Sequence, residues 1–250
     1  MFFNVSGMEF SYRSDPTLKD ITFDVGKGEV LTLLGPNGVG KTTLLKCLNR
    51  VLEPSAGSVL IEETDVHAID RKEAAKVLGY VPQRSDISKM TVFDAVLLGR
   101  RPYIDWDATE RDLKITSRIL KLIGLEEMSL RYIDEISGGE YQLVQIARAL
   151  AQQPKVLLMD EPTSNLDISN QHAIMDLIRK VVKRNDMTAI MTLHDLNLAV
   201  RYSDKFVMMH EGSIHAAGDH GIITPENIRS VYHIDAYVET IKGIPIVIPK

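Results

Sequence analysis

One cysteine, one tryptophan and an aromatic content of 6% are the sparse features of this 250-residue chain. A single thiol, Cys47, excludes an internal disulfide and fits a reducing compartment. Set between Leu45 and Leu48 in an apolar stretch, it reads as a packing residue rather than a reactive one. No apolar run approaches the roughly 20 residues that span a bilayer. The start, Met1-Phe2-Phe3-Asn4, lacks the basic opening and long apolar core of a signal peptide. The expectation is a protein made and kept in the cytoplasm, with any membrane role supplied by a partner. Basic residues are not in excess either. Lys and Arg number 29 against 34 Asp and Glu, and a net charge of −5 argues against a surface built to hold nucleic acid. No internal repeat or low-complexity segment occurs. What remains is an ordinary globular balance, long enough for one large domain or one domain carrying an insertion.

Glu29–Leu34 is a short apolar run, as expected for a strand buried on both faces. A Gly-rich turn follows, after which Leu44, Leu45, Leu48, Val51 and Leu52 recur at helical spacing until Pro54. Met8–Tyr12 and Ile21–Val25 predict two strands of an antiparallel layer. Between Ser88 and Gln153 the character turns helical. Thr91 with Asp94 starts one helix; Leu113, Ile119, Leu120 and Ile123 line a second, which Gly124 ends; Ser137 with Glu140 opens a third, carrying Leu143, Ile146, Ala147 and Leu150. Alternation then returns, with strands at Val156–Met159 and Ala189–Leu193 and a helix marked by Ile174, Ile178, Val181 and Val182. Phe206–Met209 and Ser213–Ala217, joined through Glu211-Gly212, predict a terminal hairpin. The pattern is α/β with a helical insertion: a nucleotide-binding core from residues 1–87 and 154–220, a helical subdomain at 88–153, and a tail at 221–250 without readable chemistry.

The chemistry begins at Gly35-Pro36-Asn37-Gly38-Val39-Gly40-Lys41-Thr42, which fits the phosphate loop G-x-x-x-x-G-K-[ST]. Amides exposed at Gly38 and Gly40, at a helix N-terminus, cradle phosphate oxygens. Lys41 adds positive charge, and the Thr42 hydroxyl can hold Mg²⁺. Asp160 follows an apolar run at the carboxyl end of a strand, where ligands of open α/β sheets sit. An acid there can hold Mg²⁺ through water, and Glu161 beside it is placed to orient and deprotonate an attacking water. Taken alone, an Asp-Glu pair after an apolar run can simply end a strand. Ser137-Gly138-Gly139-Glu140 likewise has two readings, a helix capping box or a second anion site made by glycine amides. Glu161 favours hydrolysis over phosphoryl transfer to an acceptor, for which no site is evident.

Together these segments resemble the nucleotide-binding subunit of an ATP-binding cassette (ABC) transporter, over nearly the whole chain. The resemblance implies a RecA-like P-loop NTPase core with an antiparallel β layer and an inserted helical subdomain. It aligns Gly35–Thr42 with the Walker A loop, nucleotide contacts reaching Thr43, and Asp160 and Glu161 with the end of Walker B. Ser137–Glu140 match the signature motif, and Ser164–Asp167 the D-loop, whose Asp167 would border nucleotide. Gln83, in Val81-Pro82-Gln83, matches the glutamine that contacts Mg²⁺ and the membrane partner. His194 matches the switch histidine that senses the γ-phosphate, and Tyr12 the aromatic residue that stacks on adenine. Three positions depart from common usage: Ile136 for Leu, Glu140 for Gln, and Tyr141 where related importers often carry Arg.

By the same resemblance, two copies would bury two ATP molecules head to tail, the signature of one closing over the phosphate loop of the other. Such a contact is self-complementary, as a two-fold interface must be. The expected partners are membrane-spanning permease subunits and, through them, an extracytoplasmic substrate-binding protein, with the chain peripheral on the cytoplasmic face of the membrane. The stretch Thr91–Tyr103, with Pro225-Glu226-Asn227, Val231-Tyr232 and Ile246–Pro249, is similar to ATPases serving importers of iron–siderophore complexes, haem, vitamin B12 and molybdate or tungstate. The rival class is a soluble ABC ATPase acting on ribosomes, DNA or iron–sulfur assembly. The single cassette, without coiled-coil arms or basic tails, speaks against it.

Overall fold

Short apolar strands whose side chains alternate between two cores organise the protein, in a computed structural model describing residues 2–13, 15–83, 89–164 and 166–250. The first elements are β1 (Phe3–Tyr12), β2 (Asp15–Val25), β3 (Val30–Leu34), α1 (Lys41–Leu48), β4 (Ala56–Ile61), β5 (Thr64–Asp65), α2 (Arg71–Val77) and β6 (Leu78–Val81). Three helices follow, α3 (Val92–Leu97), α4 (Glu110–Ile123) and α5 (Gly138–Ala151). The chain then returns through β7 (Val156–Asp160), α6 (Ile168–Arg184), β8 (Thr188–Thr192), α7 (Leu196–Tyr202), β9 (Lys205–His210) and β10 (Ser213–Gly218). It closes with α8 (Pro225–Tyr232) and the hairpin β11 (Ala236–Ile241) and β12 (Ile244–Pro249).

The central sheet has the order β10-β9-β3-β8-β7-β6, parallel throughout except for β10. Every residue of β3, β7 and β8 is buried, which is why these strands read as mostly apolar runs, with Thr32, Asp160, Thr188 and Thr192 their polar members. Leu157 and Met159 face a core shared with α5 and α6, while Val156 and Leu158 face one shared with α1 and the antiparallel sheet β2-β1-β4-β5. The period-2 pleat therefore pins helices to both sides of one sheet. It also brings the loops after β3, β6, β7 and β8 to the same edge, at the carboxyl ends of parallel strands.

Several expectations are met residue for residue. Gly124, at φ 80°, ends α4, whose start is closed by a reciprocal capping box of Thr109 and Asp112 that the sequence reading did not single out. Thr91 caps α3, and Glu211-Gly212 (φ 47° and 80°) make the two-residue turn between β9 and β10. Cys47 is fully buried, and burial pushes its thiol up to about 12.

Others need correction. The helix after the phosphate loop stops at Leu48 instead of reaching Pro54. Arg50 is left-handed at φ 57°, the Val51 and Leu52 N–H groups turn back to Lys46 O, and Val51 is exposed. Leu113 does not line the inner face of α4; it is exposed, and Asp112, Ile115 and Thr116 are buried instead. The hairpin β9–β10 is not terminal, because α8 and the β11–β12 hairpin pack beyond it. The expected 87/88 boundary and Asn165 of the Ser164–Asp167 segment lie outside the described residues. Among the described residues, no helix is long and apolar enough to cross a membrane.

Candidate functional site

Between β3 and α1 the chain must turn sharply beneath a second strand, and two glycines make that possible. Gly35 has φ 145°, and a Cβ there would sit 2.6 Å from Met209 O. Gly40 has φ 108° as the residue that caps α1, and its Cβ would meet Thr17 O at 3.1 Å. The resulting loop curls over Lys41, whose Nζ donates to Gly35 O (2.6 Å) and Pro36 O (2.9 Å). Burial lowers the Lys41 pKa, opposed by the carboxylates of Glu161 and Asp160. The ammonium therefore rests on loop carbonyls beside two acids, able to exchange those oxygens for an anion's.

Asp160 ends β7 with its carboxylate buried. Its Oδ1 accepts from Thr42 Oγ1 (3.1 Å) and from Thr192 Oγ1 (2.8 Å). The Thr192 hydroxyl accepts in turn from the Glu161 N–H (2.8 Å). Glu161 is left-handed at φ 50°, an uncommon conformation for a residue with a Cβ, so its peptide is held by that bond. Its carboxylate accepts from Gln83 Nε2 at Oε2 (2.5 Å) and lies 2.6 Å from His194 Nε2 at Oε1. Four strand ends thus deliver Lys41 and Thr42, Gln83, Asp160 and Glu161, and His194 to one place.

A cleft of 330 Å³ opens in front of this cluster. Asn37, Gly38, Gly40, Lys41, Thr42, Thr43 and Glu161 line it, with Tyr12 and Thr17 from the antiparallel sheet. Tyr12 is half exposed and rests edge-on against Phe10, ring centroids 4.8 Å apart, leaving a face open for stacking. Val39 is buried and packs toward Gly35, supporting the loop from beneath. A carboxylate oxygen and a hydroxyl about a hydrogen bond apart suit a hard divalent ion that fills its remaining positions with water and phosphate oxygens. Among the described residues, no group of three or more His, Cys, Asp or Glu is arranged to hold a metal by itself.

Ser137–Glu140 do not border this cleft. They form the capping box at the start of α5: Ser137 Oγ accepts from the Glu140 N–H (3.3 Å), and Glu140 Oε2 from the Ser137 N–H (2.7 Å). That backbone bond, and then the Ser137 hydroxyl, hold the Glu140 carboxyl below its usual range. A Cβ on Gly138 would meet nothing, so this N-terminus is open toward solvent. Asp167 lies outside the cleft as well and caps α6, its carboxylate accepting from Asn170 N (2.8 Å). Sequence reasoning missed Thr192 and Thr17. A lone hydroxyl inside the apolar run Ala189–Leu193 is the one signal that marks Thr192.

The ABC transporter family model matches residues 18–164. An uncharacterized ABC transporter ATP-binding protein of Methanocaldococcus jannaschii is 52% identical over 249 residues, covering 100% of this chain and 98% of that one. The cobalamin import ATP-binding protein BtuD of Halobacterium salinarum is 35% identical over 242 residues, 96% of this chain and 61% of that one. Among solved structures, a metal-chelate type ABC transporter in an inward-facing conformation superposes with a TM-score of 0.87 at 28% identity, covering 100% and 97% of the two chains. A dimeric ATP-binding cassette in a post-hydrolysis state with ADP and Pi gives a TM-score of 0.75 at 26% identity, covering 87% and 98%.

Proposed function

The chain belongs to the ABC transporter family, and from that premise we propose that it is the ATP-hydrolysing subunit of an importer, its site assembled from the residues described above. The observation that carries this reading is the carboxylate of Glu161, set next to a phosphate loop and to the Thr42–Asp160 pair. Gly35–Thr43 cradle the phosphates, Lys41 neutralises them, and Tyr12 stacks on the adenine. Thr42 and Asp160, with Gln83 nearby, would hold Mg²⁺, which when bound neutralises charge on the phosphates. Glu161 takes the proton of the attacking water while His194 fixes the γ-phosphate side of the site. Hydrolysis therefore needs both Gln83 and His194 to release the Glu161 carboxylate that they hold here.

The openness of Gly138 and the absence of Ser137–Glu140 from the cleft support a site completed in trans, with Asp167 at the same contact. We place two copies head to tail, each signature over the other's nucleotide, with closure favoured by ATP and opening by phosphate release. The dimeric cassette with ADP and Pi is the neighbour that accords with this arrangement. Residues 1–87 and 154–220 serve as the nucleotide core and 88–153 as the signature subdomain. The chain docks at the cytoplasmic face of the membrane on membrane-spanning permease subunits, which receive substrate from an extracytoplasmic binding protein. The cobalamin and metal-chelate neighbours favour an iron chelate, haem, vitamin B12 or molybdate-type substrate, chosen by the permease.

The test is a pull-down from detergent-solubilised membranes with tagged Glu161→Gln chain and ATP. The variant is expected to bind ATP, to dimerise and scarcely to hydrolyse, and to bring down a many-spanning membrane protein in fixed stoichiometry. Near-normal turnover would sink the assignment of Glu161 as base. A chain recovered only with ribosomes or nucleic acid would end the importer reading and leave the ATPase chemistry standing.

A further inference from the structure

The C-terminal segment, silent in sequence, touches the phosphate loop. The Gly35 N–H donates to the Tyr232 hydroxyl at 2.8 Å, across 197 residues of chain. Gly35 is pressed from its other side by Met209, leaving no room for a Cβ, and its carbonyl is the one that holds Lys41 Nζ at 2.6 Å. Tyr232 thus fixes the residue on which the phosphate-binding ammonium rests. The opposite end of the same segment is tied down twice. Asn197 Nδ2 donates to Val247 O (3.1 Å), and the Val247 N–H donates to Asn197 Oδ1 (2.8 Å). Asn197 lies three residues beyond His194, and its own N–H donates to Asp195 Oδ1 at the start of α7 (2.8 Å). Along this segment Ile228, Val231, Ala236 and Val247 are buried in the core that also holds Leu198 and Ala199 of α7.

We propose that residues 225–249 brace the phosphate loop against the loop carrying His194, and that Tyr232 is a positioning residue for ATP. Nucleotide binding requires Lys41 to leave the carbonyls of Gly35 and Pro36 for phosphate oxygens. A loop free to follow its lysine would lose the fixed arc of amides that makes the cradle. The hydroxyl of Tyr232 holds Gly35 still while the ammonium moves. Burial pushes that hydroxyl up to about 12, against the lowering effect of the Gly35 bond, so it stays neutral and accepts the N–H at any working pH. Because Asn197 anchors the far end, a displacement of α7 and its preceding histidine reaches Gly35 through the same segment.

The inference rests on the phosphate-loop assignment, so Lys41→Ala is measured beside the test variant. Tyr232→Phe in the full chain removes one oxygen and keeps the ring. The expected result is a KM for ATP raised about threefold to tenfold, the size of one hydrogen bond to a buried backbone group, with kcat within about twofold. A lowered melting temperature with unchanged KM would mean that the bond only holds the fold together, and would overturn the proposal. A fall in kcat at constant KM would overturn it too. Should the Phe variant fail to fold, Asn197→Ala decides, since it frees the hairpin and leaves Tyr232 intact. Faster amide exchange at Gly35 in that variant supports the brace, and unchanged exchange refutes it. Unaltered ATP binding by Lys41→Ala would bring the proposal down for a different reason, the loss of the phosphate-loop assignment itself.

Discussion

Replacing Thr192 by Val tests the bridge that links the two acids at the end of β7. The substitution is nearly isosteric and acts on two bonds at once: the hydroxyl donates to Asp160 Oδ1 at 2.8 Å and accepts from the Glu161 N–H at 2.8 Å. Asp160 and Thr192 are 1% and 0% exposed, so water cannot replace what is lost. A hydrogen bond to a carboxylate contributes about 1.5–3 kcal/mol, and a buried donor left without an acceptor costs about 1–3 kcal/mol. Because Thr42 still donates to Asp160, the two losses should not add fully, and about 2–4 kcal/mol of stability is expected to disappear. For a domain of this size that is a fall in melting temperature of roughly 5–15 °C. Thr192→Ser keeps the hydroxyl and gives up one methyl, about 1 kcal/mol. The assay is thermal unfolding of both variants, followed by steady-state ATP hydrolysis below the transition. In the Val variant the left-handed Glu161 loses its peptide anchor, and kcat is expected to fall about tenfold or more as the carboxylate drifts from its aim. Equal melting temperatures for the Val and Ser variants would refute the bridge. Wild-type kcat in the Val variant would refute its role in aiming Glu161, the proposed base.

Two further outcomes follow from the packing. Asp112→Asn leaves Arg100, 2% exposed, without the carboxylate that its Nε contacts at 3.0 Å, and should cost about 3 kcal/mol or more by chemical denaturation. Burial alone would raise the Asp112 pKa, but bonds from Thr109 and Arg100 hold it below the usual range. Its contribution is therefore full above the ordinary carboxylate pKa and lost as pH falls through the folded value, so acidification should destabilise the wild type more steeply than the Asn variant. Gly35→Ala places a Cβ 2.6 Å from the carbonyl of Met209 at φ 145°, and is expected to lower the melting temperature and abolish ATP binding together. An Ala variant that binds ATP normally would show that the loop can shift away from β9.

What the sequence disclosed was governed by range. Ser137 with Glu140, Thr91 with Asp94, and Gly124 act within three residues or at one helix end, and their chemistry forces a cap wherever the chain lies. The phosphate loop is equally local, since turn, amides and lysine are consecutive. Asp160 and Glu161 were legible because a buried strand must end where its side chains become polar. Tyr232 was not, because its partner is 197 residues away and a tyrosine at the end of an amphipathic helix gives no hint of it. Val51 and Leu113 fit a helical period and are exposed, because a left-handed Arg50 breaks the first helix and the buried Arg100 turns the second toward Asp112. The strand β6 went unread for a related reason. Leu78–Val81 is only four residues long and contains Gly79, whose closeness to Pro154 and Leu157 is a tertiary requirement.

Both oxygens of Glu161 are already engaged, one by Gln83 and the other by His194. Each oxygen is held by a different neighbour, which makes the arrangement an interlock with two keys on two different strands. Gln83 follows β6 and His194 follows β8, on opposite sides of the strand that leads into Glu161. Either key turned alone leaves the other oxygen occupied. If Glu161 is the base proposed above, an isolated cassette is expected to turn over slowly in saturating ATP, and steady-state hydrolysis that rises when Gln83 or His194 is replaced would bear the interlock out.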